Sequence, residues 1–196
     1  MKYLSLFILL LLSGCVIRGN ALLLDDFEGE VSSKTVDFGG GNGSTVQVRA
    51  SVDNVQNGKQ SLSIEYNSVA GGYMWVARGY ALDVKGAAQW LKQPGDIAWG
   101  NFKGLSFHVL GEASNILVAF DIKDSKGEMF RYMFKDDKRA WSRIICPFKE
   151  FFSRSDWQPN NAEVNSVIDF PVMSFQLEVR TPAKGILYID KVELVK

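Results

Sequence analysis

The sequence has few of the residues that form disulfides in small domains or bind transition metals. Two cysteines, Cys15 and Cys146, and one histidine, His108, occur among 196 residues. A metal site with two histidine ligands, common among zinc centres, is therefore excluded. Cys146 lies in the apolar stretch Ile144–Phe148, which predicts a buried thiol of low reactivity and no nucleophile.

An excess of charge of either sign is also missing. Lysine and arginine together number 22, and aspartate and glutamate together number 22. A protein that binds nucleic acid through its phosphates normally carries a basic patch or stripe, so no nucleic-acid partner is predicted. No internal repeat is found.

No apolar run is long enough to span a bilayer as a helix, which needs about 20 residues. The run from Tyr3 to Leu12 follows Lys2 and has the length of a secretory signal's apolar core. It ends in Leu12-Ser13-Gly14-Cys15, which resembles the lipobox read by lipoprotein signal peptidase. The resemblance implies a signal peptide over residues 1–14, a lipid on Cys15 and a lipidated leader over residues 15–23.

A lipid on Cys15 would attach the chain to a membrane outside the cytoplasm. Val16 follows the cysteine, where an aspartate would resemble an inner-membrane retention signal. We therefore expect a location in the cell envelope, at the outer membrane. The alternative is ordinary secretion with cleavage after Ala21.

The remainder, residues 24–196, shows the two-residue alternation of half-buried β-strands. The segments with this alternation are Ser61–Tyr66, Leu105–Val109, Ile116–Ile122, Phe130–Lys135, Phe175–Arg180 and Ile186–Leu194. Asp124–Gly127 is typical of a hairpin turn, and Pro147–Phe152 is the one helix-like stretch. Many short alternating strands predict an all-β, antiparallel β-sandwich.

Several motifs resemble those of family 11 carbohydrate-binding modules, which have a galactose-binding-like jelly-roll fold. They cover most of residues 24–196 in the family's order: Leu24–Gly29, Gly58–Tyr66, Gly71–Trp75, Lys103–Phe107, Trp141–Phe151, Arg154–Pro159 and Gly185–Leu194. The resemblance implies a non-catalytic module whose partner is a polysaccharide of the β-glucan type. The strand motif of sandwich glucanases, Glu-x-Asp-x-x-Glu, is absent, so no enzyme activity is predicted.

Part of the pattern resembles a second family, the complex I intermediate-associated assembly factors. Gly71-Gly72-Tyr73 and the Pro147–Phe151 element are similar to theirs, but their Asn-Asp-x-Val-Met-Gly-Gly stretch has no counterpart. This alternative implies an envelope protein as the partner in place of a glycan.

Aromatic residues are the first candidates for sugar contact, since a ring can stack on the C–H face of a pyranose. Trp157 lies in a polar loop with Asp156 beside it as a hydrogen-bond acceptor; the alternatives are a ring that closes the sandwich edge and a turn aspartate. Tyr73 and Trp75 point the same way, and burial in the core is favoured for them over exposure.

Polar side chains on the second face of the strands are the other candidates. His108, Asp121, Arg131 and Gln176 could hydrogen-bond sugar hydroxyls, or could simply be solvated. For Asp121 and Arg131, which face each other across the hairpin, a cross-strand ion pair is an equal alternative.

The family resemblance also implies a structural calcium ion. Its ligands would be Glu28, the Lys59 carbonyl and Asp190, hard oxygen donors from three distant segments. The alternative is that Lys191 or Arg49 neutralises the two acids. The ion would stabilise the fold and would have no catalytic role.

Overall fold

The structure is a computed structural model, and it describes residues 21–196. The predicted signal peptide and the lipid site at Cys15 lie outside the described residues. Twelve strands form the domain: β1 Leu22–Asp25, β2 Asp37–Gly41, β3 Thr45–Ser51, β4 Ser61–Ser68, β5 Tyr73–Gly79, β6 Gly104–Leu110, β7 Leu117–Lys123, β8 Met129–Lys135, β9 Ser142–Pro147, β10 Phe152–Ser153, β11 Ser174–Val179 and β12 Ala183–Val195. The first strand begins at Leu22, inside the stretch predicted to be leader.

The strands form two six-stranded antiparallel sheets. In the first sheet the order is β3-β4-β12-β6-β9, with β1 also paired to β12; in the second it is β10-β8-β7-β11-β5-β2. Among the described residues the helices are four 3-10 turns: Lys85–Ala87, Pro94–Asp96, Trp99–Asn101 and Phe148–Glu150. The all-β sandwich prediction is confirmed. A turn of helix does follow Pro147, but the prediction that this is the one helix-like stretch is wrong, since three further turns lie between Lys85 and Asn101.

The core lies between the two sheets and is formed by the apolar residues of each alternating strand. On β4 these are Leu62, Ile64 and Tyr66, and on β7 they are Val118, Phe120 and Ile122, all buried. The β7–β8 hairpin has the register Asp121 opposite Arg131, as its turn predicts. Within residues 21–196 no helix is long and apolar enough to cross a membrane.

Two charged side chains are buried inside this core. Arg78 on β5 donates from Nε and Nη2 to the two carboxylate oxygens of Asp25, with both N···O distances 2.9 Å. The guanidinium also lies 5.1 Å from the centre of the Phe27 ring. Breaking such a buried pair by removing one partner typically costs about 3–5 kcal/mol. Cys146 is fully buried, and burial raises the pKa of its thiol, as expected for an unreactive cysteine.

Two carboxylates in the β7–β8 hairpin hold the long loop between β10 and β11. Glu128, fully buried, accepts hydrogen bonds from the amide nitrogens of Asn165 at 2.8 Å and Ser166 at 3.1 Å. Asp124 accepts one from the amide of Asp169 at 3.0 Å. The loop is therefore attached to the hairpin through charge-assisted hydrogen bonds, which are stronger than neutral ones.

Candidate functional site

The outer face of the second sheet carries an open cleft of about 600 Å³. Its floor comes from β5, β7 and β11, whose outward residues alternate with core residues, and its rims come from β2 and two loops. The lining residues are Asp37, Tyr73, Met74, Trp75, Ala77, Leu82, Asp83, Lys123, Arg154, Asp156, Trp157, Gln176, Glu178 and Arg180. The structure therefore brings together Tyr73, Trp75, Asp156, Trp157 and Gln176 of the predicted site.

Tyr73 and Trp75 form one side of the cleft, and the favoured prediction that they enter the core is wrong. Met74, between them, is the core residue, while Tyr73 is 48 % exposed. The two rings are nearly parallel, with 15° between their planes and 6.2 Å between centroids. We call them the aromatic pair. The indole Nε1 of Trp75 donates to Asp37 at 2.9 Å, which fixes the ring's direction.

The aromatic pair leans over the second half of β2, where the chain has three consecutive glycines, Gly39–Gly41. Gly39 is opposite Trp75 and Gly41 is opposite Tyr73 in the strand register. A Cβ atom at Gly39 would lie 2.5 Å from the Trp75 ring, far inside the normal carbon–carbon contact of about 3.5–4.0 Å. The glycines leave the space that the rings occupy. The run Gly39-Gly40-Gly41 was the sequence signal for this arrangement, and sequence reasoning missed it.

Trp157 lies on the opposite side of the cleft and is 53 % exposed, so it does not close the sandwich edge. The guanidinium carbon of Arg154 lies 5.5 Å from the Trp157 ring centre, within cation–π range. Gln158 holds the chain beside it: its side-chain oxygen accepts from the Met129 amide at 2.7 Å, and its nitrogen donates to the Met129 carbonyl at 3.0 Å. The ring is thus positioned before any ligand arrives.

Three arginines and three acids form a connected network below Trp157. Arg131 donates from Nε and Nη2 to the two oxygens of Asp121, with both distances 2.8 Å. Arg154 Nη1 adds a third bond to Asp121 at 3.0 Å. Asp121 has no exposed surface, and both of its carboxylate oxygens are bonded to arginines. The prediction that Asp121 and Arg131 contact sugar hydroxyls is therefore wrong, and the ion-pair alternative describes them.

Asp156 joins this network from the rim and remains partly exposed. Burial would raise the pKa of its carboxyl, but hydrogen bonds from Arg154 and the charges of Arg131 and Arg180 outweigh that and hold the pKa well below its usual range. Glu178, the third acid, contacts Arg131 at 2.5 Å and also pairs with Arg180. The network is electrically balanced, so the cleft presents no strong field of one sign.

Of the remaining predicted residues, one lies in the cleft and one in the other sheet. Gln176 lies in the cleft floor, and its amide makes no side-chain hydrogen bond within residues 21–196, which leaves donors and an acceptor for a ligand. His108 lies on β6 in the other sheet, opposite Asp190 and Arg143, and does not belong to the cleft. Lys123, which sequence reasoning missed, is in the floor; burial lowers the pKa of its amine, which donates to the Ala81 carbonyl at 2.8 Å.

The three predicted calcium ligands come from segments that meet beside β12. Glu28 accepts from the amide of Lys59 at 2.8 Å, so these two residues are neighbours. Asp190 is fully buried; one oxygen accepts from the amide of Asn57 at 2.9 Å, and the other, Oδ1, has no hydrogen-bond partner. Burial raises the pKa of the Asp190 carboxyl, the backbone donors oppose this, and the charge of Glu28 adds to the rise.

The alternative neutralisation of these acids does not occur. Lys191 pairs with Glu193 at 3.4 Å, and Arg49 pairs with Glu65 at 3.3 Å. Among the described residues no group of three or more His, Cys, Asp or Glu side chains is close enough to hold a metal. A hard cation here would rely on two carboxylates and backbone carbonyls, and the unpartnered, buried oxygen of Asp190 fits such a ligand set.

Comparison with known proteins agrees with the fold and with the sequence motifs. A solved family 11 carbohydrate-binding module from Clostridium thermocellum, in complex with a β-1,3-1,4-mixed-linked tetrasaccharide, is 20% identical, with a TM-score of 0.68 over 89% of this chain and 95% of that chain. The family 11 module of a cellulosomal cellulase of the same organism is also 20% identical, with a TM-score of 0.69 over 90% and 95%.

No curated protein matches the chain significantly. The model of the carbohydrate binding domain (family 11), in contrast, matches residues 16–196, nearly the whole length. The matched range contains every residue that lines the cleft. The chain therefore belongs to the carbohydrate-binding domain family 11.

Proposed function

We propose that the chain binds an uncharged β-glucan in the cleft and does not cleave it. The observation that carries this proposal is the pair of aromatic walls, the aromatic pair on one side and Trp157 on the other, above a floor with the free Gln176 amide. Flat rings bind the C–H faces of pyranoses, and the amide binds hydroxyls. A β-linked glucan, with its extended chain, fits an open cleft with separated walls.

The arginine pairing of two cleft acids, Asp156 and Glu178, supports binding over hydrolysis. A glycosidase needs one carboxyl group that is protonated near neutral pH and a second carboxylate at a fixed distance. Arginines hold the pKa of Asp156 well below its usual range, and Glu178 is paired with Arg131 and Arg180. Neither side chain is suited to donate a proton to a leaving group.

Affinity electrophoresis against mixed-linkage, β-1,4- and β-1,3-glucans tests this proposal, with an anionic polysaccharide as the comparison. Trp157→Ala should reduce retardation by a neutral glucan about tenfold or more, as expected when a stacked aromatic contact is lost. Phe152→Ala is the matched control, since Phe152 is 52 % exposed and does not line the cleft. If no glucan retards the wild type and a stoichiometric envelope protein is captured instead, the glycan proposal fails.

We further propose that a lipid on Cys15 attaches the module to the outer membrane. The motif Leu12-Ser13-Gly14-Cys15 supports this, and the attachment would keep bound glycan at the envelope. Intact mass measurement of the protein purified from membranes should show an acylated Cys15 as the new N-terminus. A chain that begins at Leu22 would instead indicate cleavage after Ala21 and release.

A structural calcium ion held by Glu28, Asp190 and the Lys59 carbonyl is the third proposal. It would satisfy the unpartnered Asp190 oxygen and offset the mutual repulsion of two acids, so its effect would be on stability. Calcium should raise the melting temperature of the wild type after chelation, and Asp190→Asn should abolish that rise. Equal melting temperatures with calcium and with chelator would contradict the proposal.

A further inference from the structure

The two termini of the described domain lie at one end of the sandwich. Leu22 pairs with Leu194, and the amide of Lys103 donates to the Val195 carbonyl at 2.7 Å. Phe148 lies at the same end, since its amide donates to the Lys103 carbonyl at 2.8 Å. We call this the terminal end. The cleft opens on the outer face of a sheet and not at this end.

An aromatic cluster with exposed apolar surface lies at the terminal end. Phe170 stacks on Trp99, with 5.5 Å between centroids, and meets Phe148 edge-on at 5.0 Å. Phe170 is nevertheless 43 % exposed, and Val167 in the same loop is 61 % exposed. Lys103 and Lys149 are exposed beside the cluster, and Glu150 partly offsets their charge. The glycan proposal gives none of these residues a role.

We propose that the terminal end rests on the lipid bilayer, with Phe170 and Val167 entering the headgroup region. The inference depends on the proposed lipid at Cys15. Six residues lead from Cys15 to Ala21, and at about 3.5 Å each they reach no further than about 21 Å. The lipid therefore keeps this end within one leader length of the membrane.

Phe170, Val167, Lys103 and Lys149 form the patch, and their chemistry fits a bilayer interface. Aromatic and aliphatic side chains partition into the boundary between headgroups and acyl chains, and nearby lysines extend towards lipid phosphates. The cleft then faces sideways, parallel to the membrane surface, where a glycan chain can enter without meeting lipid. The terminal end would thus set the orientation of the cleft.

The full lipidated protein in nanodiscs tests this orientation. A headgroup-labelled gadolinium lipid should weaken the amide NMR signals of residues 148–150 and 167–170 at least twofold more than those of residues 111–114 at the opposite end. Uniform weakening, or the reverse gradient, overturns the inference. An intact mass that shows no lipid on Cys15 overturns it together with the anchoring proposal, so the two failures are distinguishable.

Substitutions distinguish the effect of the patch on orientation from the effect of the lipid attachment. The gradient is the difference in signal weakening between the two ends of the domain. Phe170→Ser and, separately, Val167→Ser should each reduce it by half or more. Val167 packs on no buried cluster, so that variant keeps the test valid if loss of Phe170 disturbs Trp99. Leu117→Ser is the control, since Leu117 is 39 % exposed at the opposite end. If Phe170→Ser and Val167→Ser both keep the wild-type gradient, as the Leu117→Ser control should, the patch does not orient the domain.

Discussion

Placing a methyl group at Gly39 should weaken glucan binding without unfolding the domain. The new Cβ would lie 2.5 Å from the Trp75 ring, so the ring must move by about 1 Å or more to restore a normal carbon–carbon distance. That movement would disturb the contact with Tyr73 and the hydrogen bond to Asp37. The backbone itself should tolerate alanine, because Gly39 has no positive φ and β2 is an edge strand.

The size of the effect follows from the contacts that the ring makes. A stacked aromatic contact contributes about 0.5–1.5 kcal/mol beyond its buried area. Loss of about 1 kcal/mol corresponds to about a fivefold rise in Kd, since 1.4 kcal/mol is tenfold. Gly39→Ala should therefore raise Kd about threefold to tenfold, while the melting temperature changes little.

Titration calorimetry with a mixed-linkage tetrasaccharide, together with thermal unfolding, measures both quantities. Gly100→Ala is the matched control, because a Cβ there meets no atom within 4 Å and the residue does not line the cleft. The double variant with Trp75→Ala gives the sharpest test: once the indole is gone, alanine at position 39 should have no further effect on Kd. Wild-type affinity for Gly39→Ala, or full additivity in the double variant, would refute the reasoning.

Three further predictions concern the network and its loop. Gln158→Leu removes both hydrogen bonds to Met129 and should lower the unfolding free energy by about 1–3 kcal/mol, measured by urea titration. It should also weaken glucan binding, measured by calorimetry. Wild-type affinity together with the full loss of stability would argue against a role of Gln158 in positioning Trp157. Asp121→Ala leaves the three arginines with two acids, one buried positive charge in excess, and should cost about 3–5 kcal/mol, well above the cost of an exposed control such as Glu65→Ala. Arginine charge and hydrogen bonds hold the folded-state pKa of Asp156 below its ordinary value of 3.8, so the stability it contributes is present above about pH 4 and is lost as the pH falls towards the folded-state pKa. Asp156→Asn should flatten this acid dependence of the unfolding free energy, and an unchanged slope would contradict the prediction.

The fold followed from the sequence because two-residue alternation reports directly which side chains of a strand share a face. The alternation over Ile116–Ile122 puts Val118, Phe120 and Ile122 on one face of the strand, and the structure buries all three. The same periodicity says nothing about what covers the second face. Sugar contact and a cross-strand ion pair were therefore equal alternatives for Asp121, whereas the structure buries it completely and adds a hydrogen bond from Arg154, a residue distant in sequence.

The candidate site was harder to predict for a related reason. Tyr73, Met74 and Trp75 are all apolar or aromatic, so alternation alone could not decide which side faces the core. The deciding information lay on a different strand, in the glycines that face the two rings. Gln158, likewise, acts through the backbone of Met129, a contact that no local pattern encodes.

The attachment of the β10–β11 loop has a consequence for how this module could change its ligand. Asp124 and Glu128 hold the loop at residues 165, 166 and 169, and Gln158 holds it near its start. The short stretches on either side of Gln158, residues 155–157 and 159–164, include Trp157 and contain no buried residue. New specificities could therefore arise, or be engineered, by exchanging those stretches as a cassette while the sandwich stays intact.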